Sequence, residues 1–376
     1  MRVRLTQIDG KLPNIALMKL ARWHRERGDE VGTVTTHIHR DLVDDNNVAY
    51  DRVYGSAIFN FSADRVAAFR AAFPEAVVGG TWNLADRTTV EEIIGEAGEA
   101  LDYAVYPKFS GSIGFTQRGC RLKCGFCVVP KKEGKNHAVA TVPEIWRGAL
   151  TPADVAGLMA QHEAETKDEG KAAIAKILQA REWPRHLHLL DNDFFGQPRE
   201  QWQARLAEIR AGGFKVCLNQ GINVRMIDEE SAAALKSMGY WDDSFKYRRL
   251  YTAWDNIGDE GRFFTGIATL AAAGIPSTHV MAYMLVGYDK RETWERVLYR
   301  FQRMVDLGIR AYPMVFGDRH RTLPLGGAHP GIAKRTLGEF QRYAIRRLNS
   351  VCAFQDYDSS VGSSKTRAKK AAPALL

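Results

Sequence analysis

The chain has 376 residues, of which 45% are hydrophobic and 26% are charged, and its formal net charge is +8. This length can fill the cores of two domains, or of one barrel with an added domain, but no apolar run approaches the roughly 20 residues of a membrane span. Five cysteines, three of them close together, argue against a disulfide framework, and Met1–Asp9 lacks the features of a signal peptide, so we expect a cytoplasmic protein with no membrane partner.

The first hundred residues alternate between strand and helix patterns. Residues 2–9 alternate polar and apolar side chains like a strand, and a helical pattern runs from Pro13 to Gly28. The patterns that follow are strands at Glu30–Thr36, Arg52–Phe59 and Ala76–Val78 and helices at Ala63–Phe73 and Val90–Glu99. Such alternation predicts a parallel sheet, so we expect a small Rossmann-like domain over residues 1–104. Its glycines do not form G-x-G-x-x-G, so a nicotinamide or flavin dinucleotide is not indicated.

A cluster of cysteines follows at Cys120, Cys124 and Cys127, in the pattern C-x3-C-x2-C. Three thiolates can ligate three irons of a four-iron, four-sulfur (4Fe-4S) cluster and leave the fourth iron open. A zinc site would want a fourth Cys or His, for which His137 is the nearest candidate. Three unrelated cysteines in a loop are the other alternative. Cys217 and Cys352 lie far away in sequence and are expected to be small buried hydrophobes.

From Ile113 onward the pattern predicts six βα units. Their strands are predicted at Ile113–Gln117, His186–Asp191, Phe214–Asn219, Arg249–Trp254, Thr278–Leu285 and Ile309–Val315. The clearest helices are predicted at Arg199–Gly212, Asp228–Gly239, Glu260–Ala273, Arg291–Leu307 and Ala333–Val351. Residues 152–180 favour helix except at Gly170. This segment would be a solvated insertion, the base of a lid or an arm that grips substrate.

The cysteine spacing, with Phe126 between the second and third cysteines and a strand pattern before the loop, resembles the radical S-adenosylmethionine (SAM) superfamily. The resemblance implies an α/β fold with a partial (β/α)6 TIM-like barrel over residues 105–330. The helical pattern after it predicts a C-terminal helix over 331–357, and the Ser/Lys/Ala-rich composition predicts a basic, disordered tail over 358–376. The resemblance also implies a 4Fe-4S cluster and SAM as cofactors and an electron donor of the flavodoxin or ferredoxin type. SAM would be cleaved to methionine and a 5′-deoxyadenosyl radical.

The ends of the predicted barrel strands carry the candidate SAM ligands. In this family a Gly-Gly-Glu segment accepts from the SAM ammonium, and Asn192 and Asp193 stand in its place. Arg225 suits the SAM carboxylate, and Asn219 and Gln220 suit its ribose or the substrate. Gly287 permits close approach to adenine. Caps and surface turns are the alternatives for these residues.

The catalytic residue is not identified by the sequence, and two candidates stand out. Asp255 would orient substrate or cap a helix, and Tyr283 would relay a radical or proton or pack as a barrel aromatic. After the sixth strand, Arg319, His320 and Arg321 would hold an anionic substrate at the open end of the barrel.

The segments IDGKLPNIALMKL, GFTQRGC and LDNDFF are similar to those of radical SAM proteins from bacteriophages and bacteria. Some phage members are associated with hypermodified thymidine in viral DNA. With the positive net charge, this makes a nucleic-acid base or nucleotide adduct the expected substrate, for example an amino-acid-modified thymidine that an isomerase or mutase rearranges.

Two other functions stay open. The N-terminal domain resembles the cobalamin-binding class of radical SAM enzymes, which would make the protein a methyltransferase acting on a small molecule or peptide. Many cobalamin domains carry D-x-H-x-x-G in the first βα loop, but this chain has Asp9, Gly10 and Lys11 and no histidine there. Bound cobalamin is therefore not favoured, and the preferred interpretation is that the N-terminal domain is a degenerate one reused for docking or substrate contact. A non-enzymatic iron-sulfur or nucleic-acid-binding module is the second alternative.

Overall fold

A computed structural model of the chain describes residues 1–39, 50–95 and 100–358. The predicted basic tail beyond residue 358 and the end of the helix predicted at Val90–Glu99 lie outside these residues. The chain divides into a first compact unit, Met1–Thr116 with Val139–His188, and a second, Gln117–Ala138 with Leu189–Leu376. Among the described residues, no helix combines the length and the apolar character that crossing a bilayer requires.

The N-terminal part of the first unit is a four-stranded parallel sheet in the order β2-β1-β3-β4. Its elements are β1 (Arg2–Gln7), α1 (Ile15–Arg25), β2 (Glu30–Val31), β3 (Arg52–Ala57), α2 (Ala63–Ala72), β4 (Val77–Gly80) and α3 (Val90–Ile94). Asn14 caps α1 by accepting from the Leu17 amide at 3.1 Å. Gly55 allows α2 to pack closely on β3, because a Cβ at this position would lie 2.5 Å from the Phe69 ring. The strands and helices predicted here are confirmed with different ends: β2 stops at Val31 rather than Thr36, and β4 continues past Val78 to Gly80.

The next elements bring the chain to the cysteine loop and past it. They are β5 (Ser112–Gly114), β6 (Gln117–Arg118), α4 (Val129–Lys132), β7 (His137–Ala138), α5 (Val142–Ile145), α6 (Pro152–Ala164), α7 (Asp168–Ala180) and β8 (His186–Leu189). The single strand predicted at Ile113–Gln117 is wrong, because the chain leaves β5 at Phe115. Gln117 and Arg118 pair instead with β7 in an antiparallel hairpin.

The helical segment at residues 152–180 is interrupted at a different place from the one predicted. The break lies at Glu165–Lys167, where the Glu165 side chain accepts from the amides of Thr166 and Lys167 at 2.9 Å. Gly170 lies inside α7. A local side-chain turn therefore outweighs the weak helix propensity of one glycine.

The rest of the second unit alternates strands and helices. These elements are α8 (Arg199–Ala211), β9 (Lys215–Leu218), α9 (Glu229–Met238), β10 (Leu250–Ala253), α10 (Glu260–Ala272), β11 (Val280–Val286), α11 (Trp294–Asp306), β12 (Arg310–Val315) and α12 (Leu337–Ile345). Strands β10, β11 and β12 form a parallel sheet in that order. The chain is thus a mixed α/β protein with several parallel sheets, as the sequence predicts.

The last helix is shorter than the one predicted at Ala333–Val351. Thr336 forms a capping box with Glu339, which fixes the start of α12 at Leu337. At the other end Arg347 has φ = 56°, and the chain continues as a short 3₁₀ turn at Leu348–Ser350. Both ends are thus set by local backbone geometry that the helical periodicity does not reveal.

Candidate functional site

The three clustered cysteines lie on the loop between β6 and α4, in the second unit. All three are free thiols of intermediate exposure. Burial raises the pKa of the Cys120 thiol, and the nearby Cys127 and Cys124 raise it further. The three thiols are therefore close enough to influence one another electrostatically.

The hairpin formed by β6 and β7 fixes the start of this cysteine loop. Gly119 has φ = 77°, and a Cβ there would lie 2.2 Å from the carbonyl oxygen of Lys135. Its amide donates to the Glu133 carboxylate at 3.1 Å, and the Cys120 amide donates to the Gly134 carbonyl at 3.3 Å. Glycine is thus required immediately before the first cysteine.

The buried side chain of Gln117 ties the cysteine loop to the segment that follows β8. Its Nε2 donates to the carbonyls of Arg118 and Gly119 at 2.6 and 2.8 Å. Its Oε1 accepts from the Asp193 amide at 3.2 Å, and its own amide donates to the Asp191 carboxylate at 3.2 Å. One glutamine therefore shapes the approach to Cys120 and anchors the predicted SAM-binding segment beside it.

Asn192 and Asp193, the residues expected at the SAM ammonium, bond respectively to Glu133, just after α4, and to the cysteine loop. Asn192 Nδ2 donates to the Glu133 carboxylate at 2.7 Å. Arg121, between the first two cysteines, donates to both Asp193 oxygens at 2.8 and 3.2 Å. The Asp193 side chain is only 3% exposed. The structure thus brings this carboxylate to the loop, with a guanidinium as its partner.

Arg225 lies beside the second cysteine. Its guanidinium donates to the Asp259 carboxylate at 2.6 Å and to Asn223 Oδ1 at 3.1 Å. Against the lowering effect of burial, the Asp259 carboxylate raises the pKa of Arg225, and the nearby Cys124 thiol raises it further. Asn219 is partly buried after β9, and its amide donates to the Leu189 carbonyl at 3.0 Å. Gln220 is exposed. Of the three residues predicted to bind SAM after this strand, Arg225 is therefore the one near Cys124.

Phe126 extends from the cysteine loop to the end of β11. Its ring meets Tyr288 edge-on at 5.4 Å between centroids, and a Cβ at Gly125 would lie 2.8 Å from the Tyr288 hydroxyl oxygen. Gly287 has φ = 85°, so a side chain here would be strained. Phe126, expected at the cofactor, and Gly287, expected close to adenine, therefore meet in one neighbourhood through Tyr288.

The two catalytic candidates have different surroundings. Asp255 Oδ1 accepts from the Leu285 amide at 2.8 Å, and burial raises the pKa of the Asp255 carboxyl. Burial also raises the pKa of the Cys127 thiol, and the negative charge of Asp255 adds to that increase. Tyr283 packs between Tyr251 and Tyr312 at centroid distances of 6.2 and 5.7 Å. Burial raises the Tyr283 pKa to about 12. Tyr283 thus makes the ring contacts expected of an aromatic residue that packs against its neighbours, which is the alternative to a role as a relay.

The three residues expected at an anionic substrate differ in their contacts. Arg319 and His320 are exposed, and the His320 amide donates to the Asp318 carboxylate at 2.8 Å. Arg321 donates to the Gly287 carbonyl at 2.5 Å. Arg321 is exposed as well, and its hydrogen bond holds the end of β11.

Sequence reasoning missed a buried ion pair between Arg300 and Glu292. The Arg300 guanidinium donates to the carbonyls of Trp254, Asp255 and Leu285 at 3.0 to 3.1 Å and to the Glu292 carboxylate. Glu292 also accepts from the Gly287 amide. A signal was present, because Arg300 falls among Val297, Phe301 and Met304 on the buried face of α11.

The cysteine loop supplies three thiol groups as candidate donors to a metal group. Among the residues that the structure describes, no three His, Cys, Asp or Glu side chains are arranged to hold a metal ion. The chemistry of the loop is that of three unpaired thiols, and thiolate is the ligand that iron takes in iron–sulfur clusters. The residue types present therefore fit such a cluster.

The chain was compared with family models, with curated proteins and with solved structures, and none of these searches finds a match.

Proposed function

We propose that the protein is a radical SAM enzyme. The observation that carries the proposal is the loop of Cys120, Cys124 and Cys127, which presents three free thiols of intermediate exposure in the spacing C-x3-C-x2-C. When bound there, a four-iron cluster with one open iron supplies the electron that cleaves SAM to methionine and a 5′-deoxyadenosyl radical, which abstracts hydrogen from substrate.

The proposal assigns the two ends of the SAM amino acid to two charged groups beside the loop. The Asp193 carboxylate, with Asn192, accepts from the ammonium, and the Arg225 guanidinium donates to the carboxylate. Each group already has a partner of the right charge, since Asp193 pairs with Arg121 and Arg225 pairs with Asp259. SAM therefore binds by sharing or exchanging these partners, and no buried charge is left alone.

The adenosine end of SAM is assigned to the surface around Phe126 and Gly287, with Asn219 and Gln220 at the ribose. Arg321 binds the Gly287 carbonyl and Glu292 binds the Gly287 amide, so the faces of the aromatic rings are left to contact the nucleoside. Asp255 and Tyr283 remain the candidates for a catalytic role.

The fold proposed for this enzyme is a Rossmann-like domain followed by a partial barrel. The parallel order β10-β11-β12 supports assignment of these strands to a partial (β/α)6 barrel. The four-stranded parallel sheet of the first unit supports a Rossmann-like domain. In such a barrel the loops after the strands carry the chemistry, and Gly287 and Arg319 follow strands of this sheet.

We assign a nucleic-acid base or nucleotide adduct as the substrate. The net charge of +8 favours a polyanionic partner, and the exposed Arg319 and His320 follow a barrel strand. Hydrogen abstraction from the amino-acid adduct on such a base would leave a carbon radical; rearrangement of that radical and return of a hydrogen atom would make the enzyme an isomerase or mutase.

The test is anaerobic reconstitution with iron and sulfide, reduction in the presence of SAM, and mass spectrometry of products with and without DNA. We expect 5′-deoxyadenosine, and a change in its yield or a new DNA mass when modified DNA is present. No 5′-deoxyadenosine from protein with a full complement of iron would overturn the proposal. Absorption of bound cobalamin, with methyl transfer, would favour the methyltransferase instead.

A further inference from the structure

Three exposed aromatic rings form a continuous row in the second unit. Phe126, Tyr288 and Phe316 are 38%, 41% and 40% exposed. Tyr288 meets Phe126 edge-on at 5.4 Å and Phe316 edge-on at 5.0 Å. We call these three residues the aromatic row. Large apolar side chains that remain exposed together mark a binding surface more often than scattered ones do.

The backbone holds the aromatic row in place and brings it to the cysteine loop. Tyr288 and Phe316 follow the neighbouring parallel strands β11 and β12, and the Phe316 amide donates to the Val286 carbonyl at 2.9 Å. Gly125 of the cysteine loop lies against Tyr288, because a Cβ at this position would be only 2.8 Å from the Tyr288 hydroxyl oxygen. A ligand stacked on Tyr288 or Phe316 would therefore sit close to the proposed site of the chemistry.

Basic residues flank the aromatic row along the chain. Lys290 and Arg291 follow Tyr288, and Arg319 and Arg321 follow Phe316; all four are exposed. These turns also hold two carboxylates, Asp289, which pairs with Arg291 at 3.5 Å and Arg296 at 3.6 Å, and Asp318, which accepts from the His320 amide at 2.8 Å. The four cations exceed these two carboxylates by two charges. The surroundings of the row therefore favour a polyanion.

We infer that Tyr288 and Phe316 of the aromatic row bind the bases of single-stranded nucleic acid by stacking, with the flanking arginines and Lys290 at its phosphates. Phe126 is left to SAM. This inference rests on the proposed function and specifies how that site holds its substrate. Exposed aromatics beside cations are the combination that binds single strands, because every base has a face that can stack. Bases inside a duplex cannot reach such rings without leaving the stack.

The inference is tested by fluorescence anisotropy of a labelled oligodeoxynucleotide, single-stranded or duplex, with the full-length reconstituted protein. The variants are Phe316→Ala, which removes an outer ring, and Phe316→Trp, which keeps a stacking face. The matched control is Phe61→Ala, because Phe61 is strongly exposed and stacks on Phe59 at 5.0 Å, but belongs to the first unit. Thermal unfolding of each variant establishes that it is folded.

We expect Phe316→Ala to weaken binding of the single strand about tenfold or more, and Phe316→Trp and Phe61→Ala to change it less than about twofold. The wild type should prefer the single strand to the duplex. Equal loss in Phe61→Ala, no loss in Phe316→Ala, or no binding of the single strand would overturn the inference.

The same protein samples separate this inference from the proposed function. Formation of 5′-deoxyadenosine without binding of the oligonucleotide would leave the radical SAM assignment standing and remove the stacking surface. Binding that depends on Phe316, without 5′-deoxyadenosine, would support the surface and overturn the enzyme assignment.

Discussion

Two arginine–aspartate pairs in this protein have nearly the same geometry and differ in burial. Arg121 donates to both oxygens of Asp193, and Arg70 donates to both oxygens of Asp86. The Asp193 side chain is 3% exposed and that of Asp86 is 50% exposed. The first pair closes the cysteine loop onto the segment after β8, whereas the second lies at the surface of the first unit.

Replacement of Asp193 by Asn should lower the free energy of unfolding by about 2 kcal/mol, because a buried hydrogen-bonded charge is lost and Arg121 keeps an uncompensated one. Asp86→Asn is the matched control and should cost less than about 1 kcal/mol, since exposed pairs are screened by water and salt. Urea denaturation of the two variants measures both values. Equal losses would mean that the Asp193 pair does not hold the loop.

At this scale the sequence suggests candidate ligands but not the contacts around them. The cysteine spacing makes Cys120, Cys124 and Cys127 the proposed ligands because metal-ligand patterns are local. The partner of Asp193 could not be predicted, because Arg121 lies 72 residues away and only the folded chain brings the two together. The same holds for Gln117, whose contact with Asp191 spans 74 residues.

Helix α11 connects the ends of two parallel strands through one buried side chain. Arg300 donates to the backbone after β10, through Trp254 and Asp255, and to Leu285 in β11. Glu292 balances its charge and also holds the Gly287 amide. A buried arginine thus positions the strand ends from which Asp255 and Gly287 extend.

Arg300→Met should lower the free energy of unfolding by about 3 to 5 kcal/mol, because it leaves the Glu292 carboxylate buried without its counter-charge. Arg303→Met is the control on the same helix, since Arg303 pairs with Glu260 at the surface, and it should cost less than about 1 kcal/mol. Thermal or urea unfolding measures the difference. The double variant Arg300→Met with Glu292→Gln should recover part of the loss; no recovery would contradict the ion-pair explanation.

Helix α9 offers a pH-dependent test of capping. Asp228 Oδ1 accepts from the Ser231 hydroxyl and amide at 2.6 and 2.8 Å, and the hydroxyl bond is the main cause that lowers the Asp228 pKa from 3.8. Because the pKa in the folded state is the lower one, the ionised cap stabilises the protein above about pH 4. This stabilisation is lost as the pH falls through the folded-state value.

Asp228→Asn keeps the capping group and removes its charge. We expect a loss of about 0.5 kcal/mol in the free energy of unfolding near neutral pH, and a smaller difference from wild type below about pH 4. Asp306→Asn, at the C-terminal end of α11, is the control and should not destabilise, because a negative charge there opposes the helix dipole. A pH-independent loss in Asp228→Asn would exclude the charge as its cause.

At the scale of elements, periodicity predicts the strands and helices of the parallel sheets and fails where local contacts decide. The hairpin of β6 and β7 has only two residues in each strand, too few for any periodic signal. The break at Glu165 depends on its side chain bonding to two backbone amides, which composition does not show. Helix α12 likewise starts where Thr336 caps it rather than where its apolar pattern begins.

The whole molecule carries a surplus of eight positive charges, and its second unit contains both the cysteine loop and the aromatic row. The mixed α/β class followed from the alternation of strand and helix patterns along the chain. The assignment as a radical SAM enzyme depends on the thiols, since neither charge nor fold class specifies a reaction.

The measurement that tests this assignment most directly compares three proteins after anaerobic reconstitution: wild type, Cys124→Ala and Cys352→Ala. Iron and sulfide are counted, and 5′-deoxyadenosine is measured after reduction with SAM. Cys352 lies outside the loop and is the matched control for loss of a thiol. The account predicts about four irons per chain and 5′-deoxyadenosine in wild type and Cys352→Ala, and loss of both in Cys124→Ala. An undiminished yield of 5′-deoxyadenosine from Cys124→Ala would contradict it.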